Sequence, residues 1–347
     1  MDKEERRHTG QRIKYISLLQ TLAIILVVVG HSVHEYPTAH GTGTLLYRMV
    51  YSFHMPLFVF ISGILFALPL ARGRGLRPYR EFVRAKVWRL LVPYLVLGAG
   101  VFYLRCSMSS MADEPIEASW TNLALSLVYS DRLVIVFFWF LTMLFLTLNI
   151  FYWAVRMAGS RTGAVFFMIA APVALALHLA VPTYAVQLFS VSRVCELAVY
   201  FVAGMAYCRW QGDVDKCLHT DKWLTVAVAA ALWVVAFNFT GNFAGGDLIC
   251  ALCGICMTLA LAKNLERCGV TFLDHLEGFS YMIFLLSWFT GVLSQQVLHH
   301  FTDFDWWVYS IVAVMTSIYI PVAVGKYLQR QAPRRKWARA ALKLLGH

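Results

Sequence analysis

Two stretches of this 347-residue chain combine imidazole groups with an otherwise apolar setting. One reads Val29-Gly30-His31-Ser32-Val33-His34-Glu35, the other Ser52-Phe53-His54-Met55-Pro56. Glu35 follows His31 by four positions, so a continuing helix sets both on one face. A carboxylate there holds the imidazole tautomer and stabilises its protonated form, as a general base requires. An interfacial histidine bonded to water or to a carbonyl is the other account of the same pattern. His31, His34 and Glu35 lack the HExxH order and a further ligand set, so no metal is expected.

A second group is cationic. Lys86 and Arg89 stand three residues apart, with Arg80 and Arg84 just before them. Such a cluster can hold phosphates, because cations and free N–H groups at a helix start both favour anions. It can equally serve as a topology signal in contact with lipid headgroups. Arg193 and Glu196, near the outer end of an apolar run, suit a functional pair and an interfacial ion pair equally. Cys250, Cys253 and Cys256, at three-residue steps, suit close helix packing rather than thiol chemistry.

These groups need positioning elements, and the composition says which kind. The chain is 59% hydrophobic and only 14% charged, with a mean hydropathy of +0.63, whereas a soluble protein has about a quarter of its residues charged. A soluble enzyme is excluded, and an all-α integral membrane protein is expected. Apolar runs bounded by charges fall at roughly 13 to 35, 45 to 70, 85 to 104, 133 to 155, 163 to 181, 193 to 210, 222 to 239, 246 to 262, 278 to 298 and 305 to 327. Each can cross a hydrocarbon core of about 30 Å. A bundle of about ten spans follows, occupying residues 15–328 between a short N-terminal segment (1–14) and a basic C-terminal tail (329–347).

Direction comes from charge. With the N-terminus inside, 26 of the 30 Lys and Arg fall on inner segments, and only Arg48, Arg105, Arg132 and Arg193 lie outside. That asymmetry predicts a multi-pass protein of the cell membrane with both termini cytoplasmic. It also accounts for the net charge of +11 without nucleic acid. The spacing of the eight cysteines predicts no structural disulfide. Counting 1.5 Å per residue from Lys14 and Arg72, His31 and His54 reach depths within about 5 Å of each other, in the outer half of the bilayer. Pro56 and Pro93, each inside an apolar run, predict kinked helices facing protein.

In order along roughly Tyr15 to Leu286, these segments resemble the membrane-bound acyltransferase 3 family, and particularly its sugar O-acetylase, WecH-like branch. Leu22 to Ser32, LAIILVVVGHS, is similar to the family's first-helix motif ending in the catalytic His. Phe53 to Gly63, FHMPLFVFISG, is the most specific match, and Lys86 to Tyr94, KVWRLLVPY, resembles the basic-x-x-Arg motif credited with acyl-CoA binding. Weaker matches are Trp139-Phe140-Leu141, Tyr200-Phe201 with Gly204, and Ser280-Tyr281 with Phe284-Leu285. Two positions depart. Many members carry an Asp and an Arg in the first helix, where this chain has Ser17 and Gln20, and the late motif often ends in His, where Ser287 stands.

The resemblance implies ten spans and transfer of an acyl group, chiefly acetyl, from cytoplasmic acyl-CoA to a hydroxyl of a cell-surface or lipid-linked glycan. Acetyl-CoA or another acyl-CoA would be donor substrate, and membrane lipid the surroundings. Lys86, Arg89 and Arg84 would hold its phosphates, with the thioester arm reaching into the bundle. His31 would take the proton from the attacking hydroxyl or carry the acyl group, and His54 would bond the carbonyl oxygen or orient His31. Glu35 as orienting carboxylate rests on spacing. An exporter of glycans or small molecules, or a sensor on the same scaffold, are the competing classes. Transporters often show inverted repeats and paired broken helices, and no repeat is found.

Overall fold

The computed structural model describes residues 13–34, 41–107, 117–130, 132, 135–159, 163–301 and 304–346. Among them the secondary structure is helical, apart from one isolated bridge between Tyr129 and Leu188. Every apolar run of the sequence carries a helix. Among the described residues, eight helices are long and apolar enough to cross a membrane. The runs at 163 to 181 and 222 to 239 form helices of 17 residues, Ala164–Ala180 and Trp223–Phe239. At 1.5 Å per residue each extends only about 25 Å. The second of these is bent by 83° against the short helix Gln211–Leu218 and makes a ninth span if that pair acts as one.

The chain forms two compact units. Unit one (Met1–Ile61 and Trp210–Arg330) contains α1 (Lys14–His34), α2 (Thr42–Tyr51) and the start of α3 (His54–Ala71). Its second segment adds α10 (Gln211–Leu218), α11 (Trp223–Phe239), α12 (Gly246–Arg267), α13 (Ser280–Phe301) and most of α14 (Trp306–Gln331). The hub is α1, which packs against α2, α12 and α13. Leu18, Leu19, Ala23, Ile24, Val27 and Val28 are all buried, as expected of a helix apolar on every side.

Unit two (Ser62–Arg209 and Gln331–His347) holds the rest of α3, then α4 (Tyr79–Lys86), α5 (Val92–Ser107), α6 (Trp120–Val128), α7 (Trp139–Ala158), α8 (Ala164–Ala180), α9 (Val191–Arg209) and α15 (Lys336–Leu344). Here α9 packs on α7 and α8. The backbone of α9 comes so close to α3 that a Cβ on Gly63 would lie 2.2 Å from the Phe201 carbonyl oxygen. The basic segment expected as a tail contains α15, which buries Ala338 and Leu342.

Both prolines act on their helices as proline chemistry requires. Pro56 lacks the N–H that would reach the Ser52 carbonyl, and the second apolar run breaks there, leaving Ser52 and Phe53 between α2 and α3. Pro93 stands four residues after Arg89, whose carbonyl its ring would strike in a regular α-helix. The chain answers with a π turn over Val87–Leu91, in which the N–H of Val92 reaches back five residues to the Val87 carbonyl, a single-turn bulge of the kind common at functional sites.

Candidate functional site

The break between α2 and α3 builds the histidine pair. With the helix interrupted, the Val50 carbonyl accepts from the Phe53 N–H at 3.3 Å and from His54 Nδ1 at 3.0 Å. A carbonyl only accepts, so Nδ1 of His54 carries a proton and, in the neutral ring, Nε2 carries the lone pair. His54 is 2% exposed.

Phe53, its neighbour, is clamped by the other side of unit one. Its ring meets Trp233 edge-on at 5.4 Å, and the Trp233 indole N–H donates to Ser52 Oγ at 3.1 Å. A Cβ on Gly254 of α12 would lie 2.4 Å from Phe53 Cγ, so the glycine is what admits the ring. The run holding Cys250, Cys253 and Cys256 is therefore a packing surface, as its small residues suggested, but Gly254 is the position that matters. All eight cysteines are free thiols.

His31 approaches from α1, and Tyr51 stands between the two imidazoles. The Tyr51 hydroxyl lies 3.3 Å from His31 Nδ1, and its ring meets the His54 ring at 4.5 Å between centroids. Gly30 allows this approach, since a Cβ there would sit 3.0 Å from Tyr51 Cε2. Tyr51 is absent from the residues singled out by sequence, although the Tyr51-x-x-His54 spacing across the FHMP segment is a signal that could have found it.

In the last described turn of α1 the Ser32 carbonyl is held from two other helices. Gln295 Nε2 of α13 donates to the Ser32 carbonyl at 3.0 Å, and Ser310 Oγ of α14 donates to the same oxygen at 3.4 Å. Beside this cap lies a cavity of about 10 Å³ lined by His31, Ser32, Ser287, Gln295 and Ser317 among others, enough for about one water-sized group. Ser287, which replaces the late-motif histidine, thus lines the same cavity as His31. Ser317 reaches in over Gly291, where a Cβ would lie 2.6 Å from its hydroxyl, and donates to the Ser287 carbonyl at 2.7 Å. Glu35 lies outside the described residues. Among the described residues no group of three His, Cys, Asp or Glu is placed to hold a metal ion.

The cationic residues belong to unit two. Arg84 and Arg89 are exposed and Lys86 is half-buried, its ammonium 5.5 Å from the Phe82 ring centroid. Arg77 and Arg89 are near enough for their charges to act on Lys86. Helix α4 is seated by aromatic contacts onto α7: Phe82 on Tyr152 at 4.7 Å and Tyr79 on Trp153 at 4.9 Å. The Tyr152 hydroxyl donates to the Arg77 carbonyl at 2.8 Å. Lys86 precedes the π turn and Arg89 lies within it, so the extra residue of that turn alters the angular offset between the two cations. Lys343 of α15 stands over the Trp88 ring at 4.1 Å, holding the C-terminal helix against the same turn.

A family model described as an acyltransferase domain matches residues 13–326. No curated protein and no solved structure matches the chain.

Proposed function

Since this chain belongs to the acyltransferase 3 family of membrane acyltransferases, we propose that it moves an acyl group, specifically acetyl, from cytoplasmic acyl-CoA to a hydroxyl of a cell-surface or lipid-linked glycan. The observation that carries this reading is the meeting of His31 and His54 on Tyr51 beside the cavity that His31 lines. On this proposal the chain sits in the cell membrane as a ten-span, WecH-like sugar O-acetylase with both termini in the cytoplasm.

The chemistry follows from the tautomers. With Tyr51 accepting from His31 Nδ1–H, His31 Nε2 keeps its lone pair and takes the proton of the acceptor hydroxyl. The hydroxyl oxygen then bonds to the thioester carbonyl carbon, the C–S bond breaks, and the thiolate of CoA leaves, to be protonated by the imidazolium. His54, whose Nδ1–H is engaged by Val50, fits the orienting role better than donation to the developing oxyanion. Lys86, Arg89 and Arg84 bind the phosphates of the donor. Gln20 cannot neutralise a phosphate, so the donor relies on these cations.

The test is consumption of radiolabelled acetyl-CoA by the purified protein, beside His31→Ala and a Lys86→Ala, Arg89→Ala double variant. Loss of turnover with donor binding intact in the first, and loss of donor binding in the second, is the expected result. A folded wild type that neither binds nor consumes acyl-CoA would overturn the proposal in favour of an exporter or a repurposed scaffold.

A further inference from the structure

Unit two contains a cavity that the acyl-transfer chemistry leaves unused. It measures about 500 Å³ and lies among the ends of α3, α7 and α9 and the start of α8, within the size range of small-molecule sites. Its walls divide sharply in chemistry. Arg156 and Arg209 supply positive charge, while Leu70, Phe166, Phe167 and Met205 supply an apolar face.

Neither arginine is paired with a carboxylate among the described residues. The rim is backbone-rich: Gly73 (φ 70°) and Gly75 (φ 53°) adopt left-handed conformations, and nothing stands within 4 Å of where their Cβ atoms would be. Helix α8 begins at this rim with no side-chain cap on Gly163 and no acidic residue in its first turn, so its N-terminal N–H groups add to the field that attracts an anion. Beyond Phe167 the same helix presents Met168 and Ile169, 71% and 64% exposed, a surface suited to hydrocarbon.

We propose that this cavity binds the headgroup of a lipid phosphate between Arg156 and Arg209, with the lipid chain on Phe166, Phe167 and the exposed flank of α8. Two planar guanidinium groups match phosphate oxygens, and the apolar wall beside them selects a phosphate that carries a chain over a soluble one. The arginines lie on segments that the charge distribution assigns to the cytoplasmic side, where headgroups reside. A membrane phospholipid and an isoprenoid phosphate share this chemistry. Its lining includes none of the donor cations Arg84, Lys86 and Arg89.

The experiment uses the full chain in detergent, with native mass spectrometry and thermal melting in the presence of phosphatidic acid, phosphatidylcholine of the same chains, an isoprenoid monophosphate, inorganic phosphate or CoA. A lipid phosphate should bind and raise the melting temperature, and inorganic phosphate should not. Arg156→Gln with Arg209→Gln should weaken that binding about tenfold or more, the loss of charge-assisted hydrogen bonds. The tighter of phosphatidic acid and isoprenoid phosphate names the source. Equal affinity in the double variant, or CoA displacing the lipid from wild type, overturns the site. If the glutamine pair does not fold, Arg156→Lys with Arg209→Lys keeps the charge but loses the fork, and unchanged affinity there overturns it equally. Acetyl-CoA consumption on the same preparation separates the two proposals, since lipid binding without CoA binding defeats the acyltransferase reading alone.

Discussion

The Tyr51 hydroxyl stands 3.3 Å from His31 Nδ1 while the ring that carries it lies edge-on to His54 at 4.5 Å. One side chain thus links an imidazole near the end of the first helix to the imidazole that begins the third. On the proposed mechanism it sets the His31 tautomer, and with it the nitrogen that takes the proton. Tyr51→Phe keeps the ring packing and removes that hydrogen bond. Turnover of acetyl-CoA should fall by about tenfold, the loss of an orienting bond worth about 1 kcal/mol or somewhat more, with the melting temperature little changed. Unchanged turnover would show that Tyr51 only packs.

Gln295 tests the cap of α1. Gln295→Leu removes the 3.0 Å bond to the Ser32 carbonyl and leaves it, among the described residues, the longer contact from Ser310. A buried acceptor so deprived costs about 1–3 kcal/mol. Lower resistance to denaturant together with reduced turnover is expected, whereas stability loss without any kinetic effect would detach the cap from the positioning of His31.

Gly254→Ala tests the seat of Phe53. The new methyl would fall 2.4 Å from Phe53 Cγ, and overpacking of this kind costs about 1–3 kcal/mol. Because Phe53 precedes His54, activity should drop with stability. Gly212→Ala serves as control: it lies in α10 with nothing near its Cβ position, and the substitution should stabilise by up to about 1 kcal/mol. If both behave alike, steric contact is not the cause.

Pro93→Ala tests the π turn. With the missing N–H restored, regular α-helical bonding over Val87–Leu91 becomes accessible, and Arg89 rotates relative to Lys86 by part of a residue step, a full step being about 100°. The KM for acetyl-CoA should rise severalfold while kcat at saturation holds. An unaltered KM would mean that the relative orientation of these cations does not govern donor binding.

Much of this architecture was legible in the chain, and the exceptions have physical causes. Apolar runs predict helices because burial in lipid or protein demands internal backbone bonding, and each run does carry one. The interruption at Ser52 and the π turn were not read in detail, since Pro56 and Pro93 predict a disturbance but not its form. Helices α6, α10 and α15 are short, and their stability comes from docking rather than from a long periodic pattern. In the site, His31 and His54 stand out because imidazoles are conspicuous in apolar sequence. Tyr51 does not, as tyrosines are ordinary near membrane surfaces. Gln295 acts on a residue 263 positions away, and no local pattern announces such a partner.

The burial of α1 on several sides has a consequence for how the protein is made. Its contacts with α12 and α13 join a segment to others that leave the ribosome more than two hundred residues after it. Until they arrive, Ser17, Thr21 and Ser32, all buried in the finished protein, have no protein surface in α12 or α13 to cover them. This span must therefore wait in the bilayer, or in the care of an insertion factor, as an unfinished guest. Chains truncated before residue 246 should be recognised by membrane quality control as orphans, even though their early helices can insert.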